Sequence, residues 1–132
     1  MKANELMLGD HVSHFSEKKN CVVTELRGRK VAVSYTDDNG NTKYSELLPE
    51  MAFEPIPLTP EILEKNGFEK CRIDEIGYIG WRLNEEFSLE LSAVDTLIWN
   101  DDVAIHYVHQ LQHALGLCKI EKEIKMYGSE VW

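Results

Sequence analysis

Pro49-Glu50-Met51-Ala52-Phe53-Glu54-Pro55-Ile56-Pro57-Leu58-Thr59-Pro60 contains every proline of this 132-residue chain. Proline has no backbone donor and a fixed φ, so the run suits neither a central strand nor a helix interior. It divides the sequence into two halves of different character. The expected fold is α+β. Residues 1–58 read as an SH3-like small β-barrel. Residues 59–132 read as an α+β domain, an antiparallel sheet packed with one main helix. The halves are either independent domains or two parts of one shared core.

Upstream of the prolines the pattern is β throughout. Leu6 to Val12 enters a first strand through Gly9-Asp10. Cys21 to Leu26, rich in β-branched residues, is a second. Val31, Val33 and Tyr35 alternate with Ala32, Ser34 and Thr36, the period of a half-buried strand. Asp37-Asp38-Asn39-Gly40-Asn41 then predicts a tight hairpin, so Thr42 to Leu47 should pair back. Leu47 to Met51 suits a single 3₁₀ turn, and Phe53 to Leu58 an edge strand. Five short strands of this kind suggest the small barrel.

Downstream, Thr59-Pro60-Glu61 is a helix start and Asn66-Gly67-Phe68 its stop, with Phe68 folding back on Leu63. Ile79, Trp81 and Leu83 share one face of a strand. Asn84-Glu85-Glu86 is a turn. Phe87, Leu89 and Leu91 form the apolar face of the next strand, and Asp95 to Trp99 a more fully buried one. Val103 to Ile105 is a brief extension before the principal helix, Ile105 to Leu117. Ile120 to Tyr127 reads as a last strand.

Charge narrows the function classes. Residues 1–58 carry seven basic and nine acidic residues, residues 59–132 seven and fourteen, so most of the net −9 lies in the second half. Nucleic-acid affinity comes largely from neutralising phosphates, which this balance disfavours. No apolar run reaches the length of a membrane span. Met1-Lys2-Ala3-Asn4-Glu5-Leu6 lacks the apolar stretch of a signal peptide, so the expected location is cytoplasmic. Cys21, Cys71 and Cys118 are odd in number and widely spaced, which suggests buried thiols and neither a disulfide frame nor a zinc site.

Several short strings act together as markers. They are Glu54-Pro55-Ile56-Pro57-Leu58-Thr59 with Leu63, Gly67, Phe68 and Glu69, then Tyr107-Val108-His109-Gln110-Leu111-Gln112, and the opening Ala3-Asn4-Glu5-Leu6 with Gly9-Asp10. The combination resembles a family of small uncharacterised proteins encoded in gut-bacterial genomes, often near prophages and other mobile elements. The resemblance runs from end to end of the chain. It implies a bacterial, mobile-element context. It implies no activity, cofactor or catalytic residue, because the family has none assigned.

The sharpest candidate site is His106, His109 and His113. On one helix they fall within roughly a 60° arc, and imidazole is a common metal ligand. His106 and His113 are about 10 Å apart along the axis, too far for one ion without a carboxylate between them. Ala104, Val108, Leu111, Leu115 and Cys118 lie opposite, which makes the stripe the polar face of an amphipathic helix. The readings are a solvated face, a partner contact through His109, or a metal site.

Lys18 and Lys19 with Arg27, Arg29 and Lys30 form a basic group, but the second strand separates its two parts by about 20 Å. Asp37 to Asn41 lacks the glycine and the terminal glutamate of a calcium loop. No nucleophile motif or phosphate loop is present, and His113 and Cys118 lie about 140° apart around one helix. Glu85-Glu86 and Asp101-Asp102 read as solvated turns. Val131 and Trp132 end the chain with apolar surface that suits a partner contact. The expected function is non-catalytic binding of a protein partner or self-association, with no cofactor. The alternatives are His-mediated metal binding and nucleic-acid association through the barrel's basic turns.

Overall fold

The structure, a computed structural model, describes residues 1–16, 20–72, 79–92, 96–100 and 102–126. It is α+β, with two antiparallel sheets and one main helix. It divides into two compact units, Met1–Ile56 and, among the described residues, 57–126.

The first unit opens with a 3₁₀ turn, Ala3–Glu5, followed by β1 (His11–His14), β2 (Asn20–Arg27), β3 (Lys30–Thr36), β4 (Thr42–Tyr44) and β5 (Leu48–Pro49). A second 3₁₀ turn, Glu50–Ala52, leads into β6 (Phe53–Pro55). The strand order is β4-β3-β2-β1-β6, with β5 also on β3. No ladder closes this order into a complete barrel among the described residues. The sheet is nevertheless curled. β5 lies outside β3 and β6 outside β1, about 19 Å apart across a flat sheet at the usual strand spacing. Four Cα steps from Pro49 to Phe53 span at most about 14 Å, less through a 3₁₀ turn. Only a bent sheet lets that link join both edges. A bulge between Val23 and Glu25 adds twist in the longest strand.

Ala3, Leu6, Val12, Cys21, Val23, Val31, Val33 and Phe53 form this unit's core. The first strand begins at His11, directly after the Gly9-Asp10 turn that the sequence predicts. Gly9 (φ +89°) turns the chain, and the Asp10 carboxylate accepts the Met7 N–H at 2.8 Å, leaving Met7 and Leu8 exposed. Two sequence expectations need correction here, in β3 and in the hairpin strand. Ala32 is buried beside Val31 and Val33, so the strict alternation of β3 fails in its first half. The hairpin strand stops at Tyr44, where the Ser45 hydroxyl accepts the Val33 N–H at 2.9 Å in place of a ladder bond.

In the second unit α1 (Pro60–Lys65) is bounded as the sequence predicts. The Thr59 hydroxyl accepts the Ile62 N–H. Gly67 sits at φ +87°, with Gly67 N–H donating to Glu64 O and Phe68 N–H to Leu63 O. That is a Schellman stop. The strands are β7 (Glu69–Arg72), β8 (Ile79–Arg82), β9 (Ser88–Leu91), β10 (Leu97–Trp99) and β11 (Val103–Ile105), in the order β11-β10-β9-β8-β7. α2 follows at Val108–Leu117.

β7 was not predicted, because Glu-Lys-Cys-Arg is a polar edge with little pattern. Ile79 is exposed while Gly80 and Trp81 are buried. β10 is only half-buried. Val103–Ile105 is a full member of the sheet, and α2 starts three residues later than expected. Residues 120–126 form no strand. The Asn66 side chain donates to Lys125 O at 2.7 Å and accepts the Lys125 N–H at 2.6 Å, so an amide replaces the neighbouring strand. Ile124 and Met126 are buried on either side of that clamp.

Candidate functional site

At the start of α2 the sequence places a donor-rich segment without a Ser, Thr, Asp or Asn cap. Gln110 supplies the missing acceptor. Its Oε1 accepts from His106 N–H at 2.7 Å and Tyr107 N–H at 3.1 Å, the reach-back half of a capping box. The rings then form a row. Tyr107 and His109 are parallel, with centroids 5.9 Å and planes 7° apart. His109 meets His113 edge to face at 5.7 Å. His106 lies 6.1 Å from Tyr107.

This corrects the expected solvated stripe. His106 precedes the helix and is exposed, His109 is 3% exposed, and His113 is half-buried. The buried residues of α2 are Val108, His109, Leu111, Ala114 and Leu115. His109 lies about 100° beyond Val108 around the axis, so the buried arc is wider than the apolar pattern alone indicates. The His109–His113 pair offers at most two ligands. Among the described residues no three His, Cys, Asp or Glu side chains group around a common point.

The second gathering lies at one end of the N-terminal sheet. His14 pairs with Phe53 across β1 and β6, ring edge to face at 5.8 Å. The next residue, Phe15, donates its N–H to Ala52 O at 2.7 Å. That bond stitches the end of β1 to the Glu50–Ala52 turn, and each of the two joined segments carries an exposed large apolar residue, Phe15 (61% exposed) and Met51 (78% exposed). Both residues sit in turns, where no periodicity marks them. Met7, Leu8 and Tyr44 are further exposed large apolar residues of this unit.

The other expected sites disperse. Lys18, Lys19, Asp101, Val131 and Trp132 lie outside the described residues. Arg27 pairs with Glu25 at 3.0 Å on the surface. The Asp37 carboxylate accepts N–H groups of Asn39 and Asn41, which makes the loop a hairpin turn. Asn84 holds Glu85-Glu86 in an exposed turn by accepting from Glu86 and Phe87 N–H. None of the three cysteines is in a disulfide; Cys21 is buried, whereas Cys71 and Cys118 are only half-buried, a correction to the expected burial of all three. Among the described residues no helix is long and apolar enough to cross a membrane. Comparison with protein-family models, curated proteins and solved structures gives no match.

Proposed function

We propose that the protein is a non-catalytic binding protein that engages a protein partner or a second copy of itself, in the cytoplasm of a bacterium and in a mobile-element context. The observation that carries this reading is that the two segments joined by the Phe15 N–H to Ala52 O bond each carry a large exposed apolar residue, Phe15 and Met51. Single exposed apolar residues need no explanation, whereas neighbouring ones mark contact surfaces. The same sheet is read as an SH3-like small barrel. Its last strand returns to its first, a 3₁₀ turn precedes that strand, and the short link requires curl. Barrels of this size bind through grooves and unpaired edges. The excess of acidic residues argues against nucleic acid as the main partner.

The test combines Phe15→Ser and Met51→Ser. Light scattering at micromolar concentration reads self-association, and quantitative affinity capture from a bacterial lysate reads foreign partners. The double variant should keep the parent's melting temperature and lose most of the association or capture. A parent that is monomeric and captures nothing above background, or a variant that matches the parent in both assays, rules the reading out.

A further inference from the structure

In the N-terminal unit the Ala3–Glu5 turn, the β2–β3 turn and the start of the Glu50–Ala52 turn surround a cavity of about 300 Å³. Lys2, Asn4, Gly28, Arg29 and Glu50 line it. Two hydrogen bonds, one of them to the Glu50 side chain, bring these segments together. Glu50 N–H donates to Arg29 O at 2.9 Å, and Glu50 Oε2 accepts the Ala3 N–H at 2.6 Å. Gly28 turns the chain at φ +60°, and a Cβ built there meets nothing within 4 Å, so the space beside it is open.

The lining has an unusual charge for this chain. The protein carries −9, yet two cationic residues face one carboxylate here. Arg27 next door is held by Glu25, whereas no ion pair among the described residues holds Lys2 or Arg29. One oxygen of Glu50 is already committed to a backbone amide.

We propose that this cavity binds a small organic anion: a phosphate or carboxylate group carrying a hydroxyl or amine close by. Lys2 and Arg29 take the anionic group through charge-assisted hydrogen bonds. The second oxygen of Glu50 and the Asn4 amide take the hydroxyl or amine. The volume lies at the low end of small-molecule sites. A nucleic-acid backbone offers the same phosphate, but the acidic remainder of the chain opposes its approach.

The experiment titrates the ¹⁵N-labelled full chain with glycerol 3-phosphate, inorganic phosphate and a short single-stranded oligodeoxythymidine, at constant ionic strength. Glycerol 3-phosphate should give saturating shifts at the amides of Asn4, Gly28, Arg29 and Glu50. Arg29→Ala and Lys2→Ala should each weaken it about tenfold or more, and Arg29→Lys should retain part of the binding. Glu50→Gln keeps the acceptor for Ala3 and removes a repulsive charge, so inorganic phosphate should bind that variant more tightly. Lys43→Ala, at an exposed residue 3.9 Å from Asp37, should change nothing. Unchanged amide dispersion in each variant verifies folding. Shifts that never saturate, or that persist equally in Arg29→Ala and Lys2→Ala, overturn the proposal. Saturation of the same amides by the oligonucleotide at lower concentration than glycerol 3-phosphate also overturns it, in favour of a nucleic-acid backbone.

Discussion

The two units satisfy the backbone of short strands by different means. In the N-terminal unit the two longest strands, β2 and β3, run side by side in the middle of the sheet. Seven of its eight core residues are aliphatic or cysteine, and Phe53 is the exception. The C-terminal unit has strands of three or four residues. Aromatic contacts join Phe68, Phe87 and Trp99. Single amide side chains complete its backbone at Asn66, Asn84 and Gln110. Order in the first unit therefore comes from a repeated pattern. Order in the second comes from a few polar residues, each of which matters on its own.

The largest effects test whether this contrast divides the molecule energetically. Phe53→Ala should cost about 3–5 kcal/mol and Leu111→Ala about 2–5 kcal/mol, because both side chains are fully buried. Trp81 and Trp99 belong to the second unit, so in a Trp132→Phe background tryptophan fluorescence reports that unit alone. Phe53→Ala should lower the melting seen by amide exchange in β2 and β3 and leave the tryptophan transition in place. Leu111→Ala should do the reverse. Equal losses in both signals for either variant mean that the halves share one core.

Next comes the clamp at Asn66. Its buried amide makes three bonds, to Ile62 O, Lys125 O and Lys125 N–H. Asn66→Ala removes both partners of the Lys125 backbone, while Ile62 O keeps the Asn66 N–H, and should cost about 2 kcal/mol. Exchange of the Lys125 amide should accelerate with it. Ser45→Ala removes the acceptor of one N–H, that of Val33, and should cost about 1 kcal/mol. Similar losses in the two variants would dissolve the distinction between patterned and clamped backbone.

The same distinction explains what the sequence makes legible. The β2–β3 pair, the Asp37 turn, both ends of α1 and the β9 face follow from alternation, turn chemistry and capping residues that any chain displays locally. Residues 120–126 look like a strand because Ile120, Ile124 and Met126 are apolar. Their partner is an asparagine side chain 59 residues away in sequence, and no local pattern shows that. β7 is hidden because an edge strand needs few apolar residues. The segments that carry Phe15 and Met51 are joined by one long-range backbone bond, Phe15 N–H to Ala52 O. His109 was misread because a histidine at the margin of an apolar arc looks polar until the width of the buried arc is known.

That residue gives the third test. A solvated His109 predicts no change on substitution. Buried between Tyr107 and His113, His109→Ala should cost about 2 kcal/mol. Added zinc should leave the parent's melting curve in place. A zinc-induced rise of several degrees, lost in the variant, would instead make the His pair a metal site.

The smallest effect compares the two helix starts. α1 has a conventional cap, with Thr59 Oγ1 accepting the Ile62 N–H at a long 3.3 Å. α2 has none of the usual cap residues at Tyr107, and Gln110 reaches back to two N–H groups at 2.7 and 3.1 Å. A capping side chain is worth about 1 kcal/mol in general. The shorter and doubled contact should place Gln110→Ala above that figure and Thr59→Ala below it. Gln110→Glu keeps an acceptor oxygen for both N–H groups and adds charge at a helix N-terminus, where it is favoured, so it should match or exceed the parent's stability. If Thr59→Ala costs more than Gln110→Ala, the reach-back is an incidental contact, and the start of α2 is held by the packing of Val108 and Leu111 alone.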